Sequence, residues 1–566
     1  MLFKYCSTLG SASRCSCLLM AAFVSVLLII KPKDMTFGNV NYSTLKIGIP
    51  RHVANNTPVE VVPTSPIMKY HVLVGSVGEN TDMPKLTLPV QISDIREDHT
   101  HQPAHETKKM YDIDRNRTGP SNQTEFTSYL SALDARANAD KDIILAYVDF
   151  GARDMAINFY ITALFVHEID NYLFITSSPR MSDELHERDI PCLLYTKNSA
   201  SDEGSVYGTS VFKQKMNIRT FMVLEALEYG FNVLHTDVDI HYYANPLPVV
   251  RRLCDARCDV APLWDSFAYN AGFVYVRSSP MSIKLYHHMK VTALTTDLDD
   301  QKALNKAAEA MFRKGLRLMR LPEGQFQSGF KFFEQGRHMF AGDRPCHHCI
   351  AIHNNWIMTI EAKEYRLKEM HLWMLDDDQY YSSTSRKYLT YENTRVIAGV
   401  GSAAHMRETK ALENALAIGQ LLNRTVILPR FACERFTGCP MNTAFMISSF
   451  DAQFNGKYRE STFLRHPLVP EVIKNSISQQ ILIKTSADNS KLEIGMLSEV
   501  YIPMDVHSGA TSSEIVRWFS GKPESVLRFR TLYDAFGKFT DSRINAEFKD
   551  RTRAALVRGN TRQLTK

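Results

Sequence analysis

Asp237 and Asp239 stand one residue apart where the apolar run of "FNVLHTDVDIHYYANPLP", Phe231 to Pro248, gives out. In extended backbone, residues i and i+2 point to the same face, so the two carboxylates project together if the strand persists past Thr236. Adjacent carboxylates repel, and a divalent cation between or beside them removes that cost. Magnesium or manganese, held by one or two carboxylates and completed by substrate phosphates, suits such a pair. A solvated turn at a strand end produces the same pattern, so D-x-D alone does not separate chemistry from a loop.

The elements that would position the pair are legible upstream. "IILAYV" is a continuous apolar run of strand length, as expected for a strand buried on both faces of a parallel sheet. "DMAINFYITALFVHE" carries apolar residues at helical spacing, "NYLFIT" and "PCLLYT" read as further strands, and "RTFMVLEALEYG" as a helix closed by Gly230. Strands alternating with helices predict an α/β fold with an open, mostly parallel sheet. Ligands of such sheets sit at the carboxyl ends of the strands, where Asp237 and Asp239 fall.

"FNVLHTDVDIHYYANPLP" resembles the nucleotide-sugar-binding strand of GT-A glycosyltransferases, specifically glycosyltransferase family 77. "YGTSVFKQKMNIRTFMVLEALEYGFNVLHTDVDIHYYANPLP" is similar to that family's helix, strand and D-x-D in unbroken order. "YNAGFVYVRSS" resembles its N-x-G-F segment, "DDQKALN" its D-Q motif, and "LPEGQFQSGFKFF" its L-P-x-x-x-F-x-x-G stretch. "AIHNNWIMTIEAKEYRLKEMHLW" is similar to the H-N-N-W block that closes the domain. The resemblance covers most of Asp140 to Asp378.

That resemblance implies roles. Asp239 binds Mn2+ (or Mg2+) directly, Asp237 supports it through water or the ribose, and His353 is the third metal ligand. Asn270 and Gly272 line the donor sugar, and Asp300 and Gln301 bond sugar hydroxyls near the anomeric carbon. Asp300 can equally cap the helix of "QKALNKAAEAMFRKG". Arg219 stands where the family often has a phosphate-facing lysine. "VDFGARDMAIN" keeps Asp154 and Asn158 of the family's first-strand donor-binding pattern. The implied activity is metal-dependent, retaining transfer of a pentose or galactose from a nucleotide-sugar donor, a UDP-sugar foremost, to a glycoprotein or glycan acceptor. A degenerate transferase that only binds glycans or acts as a chaperone-like partner is the alternative. A metal-dependent phosphohydrolase would need carboxylate clusters that the sequence does not offer.

The N-terminal stretch "CLLMAAFVSVLLII" is uninterrupted by charge, with Lys4 and Arg14 before it and "KPK" after. As a helix it rises roughly 21 Å, short of the roughly 30 Å hydrocarbon core. No A-x-A-like cleavage site follows, so a signal-anchor at 17–31 is expected rather than a cleaved signal, with residues 1–16 cytosolic and the body lumenal in the Golgi. Sequons at Asn41, Asn55, Asn116 and Asn122 agree with a lumenal body. "NRT" at Asn423 falls at a helix–strand junction read as buried, which argues against glycosylation there. Beyond the anchor stand Cys192, Cys254, Cys258, Cys346, Cys349, Cys433 and Cys439. Their close pairs read as disulfides with Cys192 left over, and a zinc site from Cys254, Cys258, Cys346 and Cys349 is the competing reading.

At 566 residues the chain exceeds one core. The divisions are a lumenal stem at 32–139, a GT-A catalytic domain at 140–378, a linker at 379–394, and a smaller accessory α/β domain at 395–566 that opens on "VIAGVG". The last piece resembles the C-terminal region of extensin-type arabinosyltransferases. A net charge of +5 over this length is too dilute for nucleic acid, and 44% apolar with 22% charged residues excludes a disordered chain.

Overall fold

The computed structural model describes residues 126–195, 210–335, 346, 348–393, 402–433, 436–485, 500–504 and 509–558. All lie in the compact unit Glu97–Lys566. The anchor at 17–31, the four N-terminal sequons and the "VIAGVG" strand lie outside the described residues. Among the described residues no helix is long and apolar enough to cross a membrane.

Apolar runs become strands where the sequence places them. The run of β1 (Asp142–Val148) is buried at every position, because helices cover both faces of its sheet. β2 (Tyr172–Thr176), β3 (Cys192–Leu194), β4 (Asn232–Thr236), β6 (Val260–Trp264) and β7 (Tyr269–Val276) complete a six-stranded sheet in the order β3-β2-β1-β4-β7-β6. The strands from β3 to β4 are parallel, whereas β7 runs antiparallel to both neighbours. The N-terminal end of β7 therefore meets the carboxyl end of β4. The helix Ser210–Glu228 covers one face and stops where Gly230 takes φ +87°. Cores of Leu, Ile, Phe and Met lie on either side of the sheet.

The helix Tyr129–Arg136, expected in the stem, instead packs Tyr129, Ala132 and Leu133 into this core, so the folded body begins before residue 140. β5 (Ile240–Tyr242), β8 (Phe326–Gln327) and β9 (Ala351–His353) form a small separate sheet in the order β5-β9-β8.

A second six-stranded, parallel sheet runs, in spatial order, Tyr458–Arg459, Thr425–Ile427, Tyr388–Tyr391, Val526–Phe529, Ile481–Thr485 and Val500–Met504. Tyr388–Tyr391 falls inside the expected linker 379–394 and is one of the two middle strands. A run of four residues among Ser, Thr and charges carries too little periodicity to show as a strand. Asn423 is exposed at the turn after the helix Ser402–Leu422, with φ +48°, not buried as expected. The chain turns there from the helix into Thr425–Ile427, and Asn tolerates the left-handed conformation.

Cys254–Cys258 and Cys346–Cys349 are disulfides, which overturns the zinc reading, and Cys439 is also disulfide-bonded. Cys192 is free and buried, and burial pushes its thiol well above the usual range.

Candidate active site

The D-x-D carboxylates converge through a turn rather than an extended strand. β4 ends at Thr236, and Asp237–Asp239 turn the chain into β5. The Asp237 N–H still donates to the Gly272 carbonyl at 2.7 Å, which ties the turn to the start of β7. β5 pairs antiparallel with β9, and Ile240 stands opposite His353. The Asn354 N–H donates to the Asp239 carbonyl at 2.9 Å. This ladder is what returns the "HNN" block to the aspartates.

His353 Nε2 lies 3.2 Å from Asp239 Oδ1 and 3.6 Å from Asp237 Oδ2. One ligand atom from each of the three residues lies within 4.8 Å of the other two, and this is the one such cluster among the described residues. The orientation of the imidazole is set from behind. Asn270 Oδ1 accepts the Gly272 N–H at 2.9 Å, so it faces His353 Nδ1, 3.0 Å away, as an acceptor. Nδ1 then carries a proton, and Nε2 is the nitrogen turned to the aspartates. Gly272 makes the arrangement possible: a Cβ there would stand 2.2 Å from Asp237 Oδ2 and 2.8 Å from His353 Cε1. Two carboxylates and an imidazole that would give up its Nε2 proton on binding fit a divalent cation.

Burial and neighbouring charges pull against each other at Asp239 and Asp300. Burial opposes ionisation of Asp239, but Lys363, 2.8 Å from Oδ2, and His353 outweigh it, holding the carboxyl well below the usual carboxylate range. Burial likewise lowers the His353 pKa, and the Asp239 charge more than restores it. Arg219 lies between Asp237 (2.8 Å) and Asp300 (3.0 Å). Burial pushes Asp300 up to about 6 against the pull of Arg219.

Several expected roles change. Arg219 is buried and pairs with both Asp237 and Asp300. Gly272 does not line open space, since Asp237 and His353 fill the volume above it. Asn270 stands behind His353, joined to Gln301 Oε1 at 3.2 Å. Asp299, not Asp300, caps the helix Asp300–Phe312, because its side chain accepts from the Lys302 N–H. Asp300 is thereby free to turn inward to Arg219. Asn158 is buried with its amide bonded to the Leu372 carbonyl (3.0 Å) and the Met374 N–H (2.7 Å), so it pins the chain after the H-N-N-W block. Asp154 ion-pairs with Arg153, with its side chain about half exposed, outside the cluster.

Sequence reasoning missed Lys363, Lys215 and Asp265. Lys215 pairs with Asp149 at 2.7 Å, beyond the carboxyl end of β1, one turn before Arg219 on the same helix. Asp265 Oδ2 accepts from Asn270 (3.4 Å) and Asn355 (3.0 Å), and Oδ1 from the Trp356 indole. Lys363 and Lys215 carried a signal, as cations near the motifs; Asp265 carried none.

Residues 167–367 match the nucleotide-diphospho-sugar transferase family. The chain is similar to the arabinosyltransferase XEG113 of Arabidopsis thaliana, at 21% identity over 480 residues covering 73% of each chain. It is similar to the β-arabinofuranosyltransferase RAY1 of the same plant at 24% identity, over 44% of this chain and 50% of that one. A UDP-galactose:fucoside α-3-galactosyltransferase of Dictyostelium discoideum is 27% identical over 33% of this chain and 31% of its own. Among solved structures, mouse xyloside xylosyltransferase 1 is 10% identical with a TM-score of 0.24, covering 38% of this chain and 98% of that one. With these relatives beside the site, residues 167–367 are a nucleotide-diphospho-sugar transferase domain of the glycosyltransferase family 77 type, and the chain is a glycosyltransferase.

Proposed function

We propose that the chain is a manganese-dependent, retaining glycosyltransferase that moves a pentose or galactose from a UDP-sugar to a glycoprotein or glycan acceptor. The observation that carries this reading is the meeting of Asp237, Asp239 and His353 from two distant segments inside a sugar-transferase domain. A nitrogen ligand beside two carboxylates favours manganese over magnesium, which prefers oxygen alone. A divalent ion held there supplies Lewis-acid stabilisation to the diphosphate as it leaves.

The chain's own residues do the rest. Asp239 stays ionised because Lys363 and His353 flank it. Lys363, about a third exposed, adds positive charge at the edge where the diphosphate develops its own. Asn270 holds the imidazole so that Nε2 faces the cluster. Asp300 and Gln301, at the start of their helix, stand next to Arg219 and Asn270, on the side of Asp237 where the sugar would lie. Retention needs no residue to activate water, and none is assigned.

The proposed setting is the Golgi lumen, with a single-pass, type II anchor at 17–31 and glycans on Asn41, Asn55, Asn116 or Asn122. Donor turnover tests the chemistry: purified chain should release UDP from a UDP-sugar with manganese and not with chelator. Release that persists in chelator rejects the metal assignment. For the setting, an endoglycosidase should shift the mass of membrane-bound chain, and a soluble, unglycosylated chain in cells rejects it.

A further inference from the structure

We infer that Phe267, Phe330 and Trp356 form the subsite that receives the acceptor sugar, packing against its apolar C–H face. The inference rests on the transfer reading above and adds to it the place and chemistry of the second substrate.

Phe267 is 73% exposed, the most of any large apolar side chain among the described residues. Its ring centroid lies 6.0 Å from Phe330 and 6.1 Å from Trp356, and those two lie 5.0 Å apart. Three separate chain segments thus converge on one aromatic surface. The surface is held rigidly. The Asp265 carboxylate bonds the Trp356 indole and the Asn355 amide, and Ser266 takes φ +62° to turn Phe267 outward. Trp356 itself sits at φ +58°, a conformation that a bulky residue adopts only when its surroundings enforce it. Phe330 reaches the group because Gly329 packs on Asn355, where a Cβ would stand 2.1 Å from the carbonyl oxygen.

Its position fits the second substrate. The turn carrying Phe267 joins β6 to β7 at the end of the sheet that holds the D-x-D turn, since Thr236 pairs with Phe273. Trp356 bonds Asp265, Asp265 bonds Asn270, and Asn270 bonds His353, so the platform stands three hydrogen bonds from the candidate metal ligand. In the strand order, β1 with its Asp149–Lys215 pair lies on one side of β4, and β7 and β6 lie on the other. A nucleotide in the crevice at the carboxyl ends of β1 and β4 leaves the β6–β7 flank to the acceptor.

Size selects the occupant. One exposed ring and two partly buried ones offer at most on the order of 300 Å², whereas a stable protein partner covers roughly 800 Å² on each side. A single sugar ring matches the smaller figure. Its C–H face packs on the aromatic rings while its hydroxyls reach polar neighbours such as Asn355 and Gln301.

Saturation-transfer NMR on the full chain with UDP and diamagnetic magnesium tests this, using methyl α-L-fucopyranoside, methyl β-D-xylopyranoside and methyl L-arabinofuranoside as probes. At least one glycoside should receive saturation on its ring C–H protons. Phe267→Ala should weaken that binding about fivefold to tenfold, and Phe267→Tyr should retain it. An unchanged thermal midpoint for the alanine variant, expected at so exposed a position, shows that the fold is intact. The inference is overturned if no probe binds, if Phe267→Ala binds like wild type, or if Phe267→Ala dissolves a wild-type dimer, which would make the patch a contact between copies. Nucleotide release from UDP-sugars by wild type is measured alongside. Its absence rejects the transfer reading itself, while its presence with Phe267-independent glycoside binding rejects the subsite alone.

Discussion

Two regions of this protein bury charge, and they differ in where the acid oxygens are turned. At the end of the first sheet, one oxygen each of Asp237 and Asp239 and His353 Nε2 turn toward one another, while Arg219 and Lys363 pair with the other oxygens of the two acids. Where the second sheet meets the helix Ile360–Glu369, the buried acid faces donors. Glu369 accepts the Ser461 N–H at 3.0 Å on one oxygen, and the Ser461 hydroxyl and Arg430 on the other. Glu460 accepts the Tyr380 hydroxyl at 2.7 Å, and the Arg459 guanidinium lies 3.8 Å over the Tyr380 ring. Buried acids that meet their donors hold a structure together. Three potential ligand atoms from distant segments turned toward one another suit a cation.

Breaking the first region should cost function and little else. Asp239→Ala removes a ligand and the partner of Lys363, and donor turnover should fall on the order of a thousandfold. Turnover within a few fold of wild type at saturating manganese would put the metal elsewhere.

The second region should respond in stability. Glu369→Ala leaves Arg430 and Ser461 without their acceptor in a buried setting, which should cost roughly 3 kcal/mol in urea unfolding. Manganese affinity should not change, and a parallel loss of affinity would join the two regions into one functional unit.

His353→Ala sharpens the contrast. The ring contributes little packing, so the fold should persist while manganese binds about tenfold to a hundredfold more weakly. Calorimetric titration reads this directly, and a drop in stability without a drop in affinity would make His353 a core histidine.

The gentlest probe is pH. Burial raises the Glu369 carboxyl to about 7, against the weaker opposing pull of Arg430. From about 4.5, where the unfolded chain releases this proton, to about 7, where the folded chain does, the folded state holds the extra proton. Stability should therefore decline as pH rises through that window, by at most about 1.4 kcal/mol per pH unit from this group. Glu369→Gln should flatten the slope between those limits. An unchanged slope would show that Glu369 stays ionised when buried.

Much of this was readable before any coordinates. β1, β2 and β4 lie where continuous apolar runs end in polar turns, because a strand buried on both faces needs an unbroken run. The chemistry-bearing types, Asp237, Asp239 and His353, stood out as motif residues. Other features were hidden for physical reasons. Tyr388–Tyr391 is too short to show a period and owes its strand state to neighbours on both sides. Asn158 and Arg219 looked like ligands for a donor, yet their partners are backbone and carboxylates from segments far along the chain. Asp265 has no local pattern at all.

The sequence by itself determined the fold class, the transferase resemblance and the residue types available for chemistry, because these follow from local periodicity and short motifs. Only the tertiary structure decided which way each of those side chains faces. Pairing Ile240 with His353 closes the cluster with Asp237 and Asp239, and the bond from Asn270 turns the imidazole toward them. The Asp265 carboxylate fastens Trp356 beside Phe267. Each of these contacts joins residues distant in the chain, and a side chain's role is set by the partner it meets when the sheets close, which no local pattern encodes.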